Sequence, residues 1–107
     1  MTVYVVNKSS HDFSKASQFG DIVYLSQGPI NRFACNSMHR KFYAKLISSN
    51  EDDYILMCSL GVMNSIACSI FAKLHNKLNL LLYKKGKYIE RNLIIDKGEN
   101  YGTTPIN

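Results

Sequence analysis

Near the amino end, Asn7-Lys8-Ser9-Ser10-His11-Asp12 sets an amide, a cation, two hydroxyls, an imidazole and a carboxylate side by side. Such a group can grip the ribose and phosphate of a nucleotide through charge-assisted hydrogen bonds. His11 next to Asp12 has the composition of a proton-transfer pair, although neighbours in sequence need not face each other. The same residues would serve equally as a Ser/Asx turn that caps the following helix. A second group, Ser59-Leu60-Gly61-Val62-Met63-Asn64-Ser65, runs from an apolar segment into a helical one. Backbone N–H groups at a helix start suit phosphate or carboxylate, and Gly61 would let the backbone approach closely. Asn64 and Ser65 could add side-chain contacts; a capped helix with a tight turn explains the same residues without a ligand. A third group, Asn31-Arg32, follows Gly28-Pro29. Arg32 could hold an anion bidentately, and a cation at a helix start otherwise opposes the dipole.

Several chemistries have no sequence signal. There is no Walker motif, no G-x-G-x-x-G, no H-E-x-x-H and no nucleophile elbow. Glu51-Asp52-Asp53 reads as a solvated loop rather than half of a carboxylate pair. Cys35, Cys58 and Cys68 form no C-x-x-C pair and are odd in number. They read as small buried hydrophobes in a reducing compartment, not as a disulfide framework or a zinc knuckle. No metal and no cofactor is expected.

These groups need elements to position them. Residues 2–6 (TVYVV), 21–26 (DIVYLS), 54–59 (YILMCS) and 78–83 (LNLLLY) are short apolar runs with little polar alternation, the pattern of strands buried on both faces. Ser10 or Asp12 could cap a short helix that ends near Gly20. From Ile30 to about Ser48 the period turns helical, with Cys35, Met38, Phe42 and Leu46 on one stripe. Pro29 suits its first turn. A second helix spans Gly61 to about His75, with Met63, Ile66, Ala67, Ile70 and Leu74 at core spacing. Lys84-Lys85-Gly86-Lys87 is a hairpin turn, and residues 88–95 (YIERNLII) form a last antiparallel strand at an edge.

This order implies an α/β fold: a three-layer, Rossmann-like, mainly parallel sheet with a C-terminal antiparallel hairpin strand. The strand order 2-1-3-4-5 is the simplest solution, with its switch point between the first and third strands. Ligands of open α/β sheets bind outside the carboxyl ends of strands at that point. The segments that follow the first three strands, Asn7–Asp12, Ser26-Gln27-Gly28 and Ser59-Leu60-Gly61 leading to Asn64-Ser65, then fall at one end of the sheet, with Arg32 near them. Residues 1–96 are expected to form a single domain, and 97–107, which has lost all periodicity, a tail.

The chain has 107 residues, 46% of them apolar and 20% charged, which is a globular composition. It carries 13 Lys+Arg against 8 Asp+Glu, a formal net charge of +5. Nucleic acid is the reflexive partner for that excess. However, Lys73, His75, Lys77, Lys84, Lys85, Lys87 and Arg91 cluster at a helix end, a turn and an edge strand, where solubility and edge protection explain them. Neither nucleic acid nor membrane is therefore expected as a partner. No apolar run is long enough to span a bilayer, and MTVYVVNKSS lacks the basic start of a signal peptide, so a cytoplasmic location is expected.

Asn7–Ser14 with Phe19-Gly20, Leu25–Phe33 (LSQGPINRF) and the stretch DYIL…MNSIAC within Asp53–Cys68 resemble small, functionally uncharacterised α/β proteins of tailed bacteriophages. The resemblance runs from Val3 to about Ile95. It implies a phage accessory protein working in the host cytoplasm, acting on the host or its defences, and carries no activity.

The leading expectation is non-catalytic binding, as in sequestration, of a small phosphorylated or nucleotide-like ligand by a homo-oligomer. Gly61, Asn64 and Ser65 would seat the phosphate. Lys8 and Arg32 would supply charge, and Asn7, Ser9, Ser10 and Asp12 would fix the polar groups. An alternative is a protein-interaction module that inhibits a host protein through its basic surface and edge strand. A further alternative is a small nucleotide hydrolase or transferase with His11 and Asp12 in the site.

Overall fold

The computed structural model describes residues 1–95; the tail expected over 97–107 lies outside the described residues. Five strands form one sheet in the order β2-β1-β3-β4-β5. They are β1 (Thr2–Val5), β2 (Asp21–Tyr24), β3 (Tyr54–Leu56), β4 (Lys77–Lys84) and β5 (Lys87–Ile94). The first four run parallel and β5 returns antiparallel to β4. The expected α/β architecture, strand order and terminal hairpin are therefore present.

Alternation along β1 divides the core in two. Tyr4 and Val6 point to one face, where α1 (Cys35–Leu46) lays down Met38, Phe42 and Leu46. On the same face α2 (Gly61–His75) adds Met63, Ala67, Ile70 and Phe71. Val3 and Val5 point to the other face and pack with Tyr54, Leu56, Leu81 and Tyr88. Among the described residues, the only helical cover on that face is the short 3-10 segment Ser14–Phe19, which contributes Ala16, preceded by Phe13. This asymmetry follows from right-handed connections: β1 to β2 steps one way across the sheet, whereas β2 to β3 and β3 to β4 step the other.

Four local expectations need correction. The first long helix begins at Cys35 rather than Ile30. Asn31 Oδ1 accepts the Phe33 N–H at 3.0 Å and the Asn31 carbonyl accepts the Ala34 N–H at 3.0 Å. That local turn competes with helix and leaves Arg32 before it rather than in its first turn. Cys35, now the first helical residue, is exposed instead of buried, and Cys58 and Cys68 are half-buried. The third strand ends at Leu56, three residues before the expected Ser59. Finally, Asp53 is not in a solvated loop.

Asp53 is buried at the amino end of the sheet, where its Oδ1 accepts the Thr2 N–H at 2.8 Å and its Oδ2 the Asn50 N–H at 2.7 Å. Beside it, buried Asn79 donates to the carbonyls of Glu51 and Asp53, and Asn92 donates to Asn79 Oδ1. These bonds tie β1, β3, β4 and β5 together at one end, each buried polar group being satisfied. Among the described residues, the opposite, carboxyl end carries no such side-chain lacing across β3. It is the end that opens.

Candidate functional site

At the carboxyl end, the loops after β1 and β2 are bound to each other. Ser26 Oγ sits 2.6 Å from the Val6 carbonyl and 3.0 Å from Asn7 Oδ1, its one proton shared between two acceptors. Asn7 Nδ2 donates to the Gly28 carbonyl at 3.2 Å, and the Lys8 N–H to the Ser26 carbonyl at 2.8 Å. The next residues form tight side-chain turns. Ser9 Oγ accepts the His11 N–H at 3.2 Å, and Asp12 Oδ1 accepts the Ser14 N–H at 2.9 Å. The Ser14 backbone N–H and then its hydroxyl hold the Asp12 carboxyl below its ordinary range, with smaller help from the charges of Lys15 and His11.

Facing this loop is the β4–β5 hairpin. Because β3 stops at Leu56, paired with Leu81, the residues Leu82, Tyr83 and Lys84 project past its end. A cleft of about 960 Å³ lies between the loop and the hairpin. Asn7, Ser9, His11, Asp12, Phe13 and Lys15 line one side. Leu82, Tyr83 and Tyr88 line the other, and Met57, Cys58, Ser59 and Leu60 lie between them, after β3. This is the switch point, where β2 and β3 lie on either side of β1.

Three contacts set the shape of the cleft. Lys15 Nζ donates to the Gly86 carbonyl at 3.1 Å, joining the 3-10 segment to the hairpin turn. Tyr83 and Tyr88 are opposed across the hairpin, with ring centroids 5.3 Å apart and planes at 67°. Asn64 Nδ2 donates to the Cys58 carbonyl at 2.7 Å, and the Cys58 thiol lies 3.7 Å from Asn64 Oδ1, so the chain after β3 is anchored to α2. Burial pushes the Tyr88 hydroxyl pKa up, with the neighbouring Tyr83, Asp12 and Cys58 adding to it.

The expected site residues divide into two sets. Asn7, Ser9 and Asp12 line the cleft together with His11. Lys8, Ser10, Arg32, Gly61, Asn64 and Ser65 are not among its lining residues. The Lys8 ammonium lies over the Tyr24 ring, 5.7 Å from its centroid, and Ser10 and Arg32 are exposed. Buried Asn64 spends its amide on Cys58, and Ser65 Oγ donates back to the Gly61 carbonyl at 2.9 Å. Asn64 thereby anchors the start of α2, whereas Ser65 bonds only within the helix. No hydrogen bond joins His11 to Asp12 among the described residues, nor do any three His, Cys, Asp or Glu side chains there gather closely enough to hold a metal ion. None of the described helices is long and apolar enough to cross a membrane.

Sequence reasoning missed the hairpin wall and Lys15. A signal for the wall exists: a two-residue turn at Lys85-Gly86 makes Tyr83 and Tyr88 cross-strand neighbours on one face. Lys15 has no comparable signal, because its partner is a backbone carbonyl far along the chain.

Comparison with known proteins adds the lineage of the chain. The model of the family described as Phage Pam3 gp32-like protein matches residues 1–95, and the chain belongs to that family. Neither a curated protein nor a solved structure matches the chain.

Proposed function

We propose that this phage-family protein binds a small phosphorylated or nucleotide-like ligand in the cleft at the carboxyl end of its sheet, without turning it over. The observation that carries the reading is the convergence of Asn7, Ser9, His11, Asp12 and Lys15 on one side of the cleft. Lys15 keeps ammonium protons beyond the one given to Gly86, and His11 is exposed, so both can face an anion. The Ser9 hydroxyl and the Asp12 carboxylate suit the hydroxyls of a sugar.

Binding is favoured over hydrolysis by the state of Asp12. Its hydrogen bonds run to Ser14 and stabilise the ionised form, which makes it a poor general acid and a weak base. In a phage-infected cell, a binder of this kind would act by sequestration, removing a host signal as a counter-defence.

A thermal-shift panel of cyclic and linear nucleotides and NAD-derived metabolites tests the reading. At least one should raise Tm, and His11→Ala should reduce that rise. Chromatography of ligand released by heat should return it intact; recovery of a cleaved product would instead support the hydrolase with His11 and Asp12.

A second reading rests on a different surface. β5 is an edge strand, and its end carries Leu93 and Ile94, the latter 81% exposed. Apolar side chains on an open edge suit pairing with another chain, either a second copy in a homo-oligomer or a host protein. No Tm response across the panel, with a stable complex by light scattering, would favour it.

A further inference from the structure

We infer that the hairpin wall of the cleft recognises a planar aromatic ring of the nucleobase class, stacked on Tyr83, and that the opposite wall is matched to a single phosphate. This rests on the proposed ligand site and specifies its occupant. Tyr83 is 59% exposed although it lines a cleft, while Tyr88 beside it is only 8% exposed. The buried ring packs against the exposed one at 5.3 Å and 67°, an edge-to-face contact that holds Tyr83 in place and takes up at most one of its faces. Leu82, Met57 and Leu60 add apolar surface to the lining of the cleft. A sugar phosphate has nothing to set against such a wall, whereas a base does.

The platform is also rigid. Both central residues of the hairpin turn have positive φ, Lys85 at 50° and Gly86 at 84°, which matches the twist of the flanking strands. The Lys15 ammonium bonded to Gly86 then fixes the turn against the loop wall. Little ordering remains to be done on binding, so stacking energy is retained as affinity.

Charge limits the rest of the ligand. Among the lining residues the basic side chains are His11 and Lys15, and the Asp12 carboxylate stands between them in sequence. Lys15, with His11 as a second basic group, offers partners for one phosphate; a triphosphate would bring excess negative charge toward Asp12. The occupant is therefore a nucleoside monophosphate or a cyclic mononucleotide in class, not a nucleoside triphosphate and not a bare sugar phosphate.

Isothermal titration calorimetry with the four ribonucleoside 5′-monophosphates and their 3′,5′-cyclic forms, ATP and ribose 5-phosphate tests this on wild type, Tyr83→Ala and Tyr83→Phe. At least one monophosphate should bind, with ribose 5-phosphate tenfold or more weaker and ATP no tighter than AMP. Tyr83→Ala should weaken the monophosphate roughly 5- to 100-fold, the range for losing one stacked base, and Tyr83→Phe should keep it within about threefold. Because Tyr83 is exposed, an unchanged thermal melt of the free variants separates lost stacking from lost fold. Equal binding of ribose 5-phosphate, unchanged affinity in Tyr83→Ala, or a tenfold preference for ATP would overturn the inference while leaving the ligand site standing. No binding of any probe to wild type, with a positive hit elsewhere in the thermal-shift panel, would do the same; no hit in either assay would remove both.

Discussion

Lys15 and Gly86 lie 71 positions apart in the chain, yet the ammonium of one donates to the carbonyl of the other at 3.1 Å. That contact joins the segment after the first strand to the turn between the last two. It spans the open end of the sheet, where β3 is too short to separate its neighbours. The far end has the opposite character, closed by the buried bonds of Asp53 and Asn79. One sheet thus has a laced end that fixes the strands and an open end that can admit a ligand.

Removing the Lys15 contact should loosen the cleft more than it destabilises the fold. The bond is exposed, so Lys15→Met should lower stability by no more than about 1 kcal/mol. Amide exchange at residues 85–88 should nevertheless quicken, measured by hydrogen–deuterium exchange with mass spectrometry. Unchanged exchange there, or a loss of several kcal/mol, would show that Lys15 does not act as this tie.

Asn64 and Ser65 stand side by side and should respond oppositely to alanine. Asn64 is 4% exposed and is the side-chain donor to the Cys58 carbonyl, so Asn64→Ala should lower stability by about 1–3 kcal/mol in urea unfolding. Ser65 is exposed and bonds only back to Gly61 within the helix, so Ser65→Ala should be neutral or stabilising by a few tenths of a kcal/mol. If both residues instead seated a phosphate, each variant would abolish binding while leaving stability alike.

The contrast between these neighbours marks what was legible in the chain. Element order, the parallel sheet and the hairpin follow from apolar runs and turn residues, which are local signals. The first loop drew attention by its residue types, and Asn7, Ser9, His11 and Asp12 line one cleft. What escaped depends on where strands stop. Nothing in YILMCS marks the end of pairing at Leu56, yet that end exposes Tyr83 and opens the cleft. Likewise Asn64 has the composition of a ligand contact, and only the position of the Cys58 carbonyl shows that its amide is already used.

Two backbone positions should respond to substitution in opposite directions. A Cβ at Gly20 would collide with the Met1 carbonyl oxygen, so the chain must shift to accept one. Gly20→Ala should destabilise by about 1–3 kcal/mol. Lys85 occupies the left-handed region that suits asparagine or glycine, and Lys85→Asn should stabilise by up to about 1 kcal/mol. Thermal melts of the two variants against wild type would check both signs.

The three thiols should alkylate in a fixed order. Cys35 is exposed, whereas burial pushes the Cys68 thiol up to about 11. At pH 8 only about a thousandth of Cys68 would then be thiolate, the reactive form. Brief iodoacetamide treatment followed by peptide mass spectrometry should label Cys35 first and Cys68 last. Early labelling of Cys68 under native conditions would mean that the contact between α2 and the sheet opens readily.

Asp12 links the cleft to pH. Its folded carboxyl titrates below the ordinary value of 3.8, chiefly because the ionised form accepts the Ser14 N–H. A depressed carboxyl contributes stability that is present above the unfolded value and is lost as pH falls through the folded one. Near neutral pH the turn should therefore be insensitive to pH, and loss should begin only below about pH 4. Carbon-detected NMR of the Asp12 carboxyl should give a midpoint under 3.8 in wild type. Ser14→Ala removes the hydroxyl contact while keeping the backbone donor, so its midpoint should move part of the way back toward that value. A wild-type midpoint at or above the ordinary value would show that Asp12 is not locked in the Ser14 turn, and would restore it as a candidate proton donor beside His11.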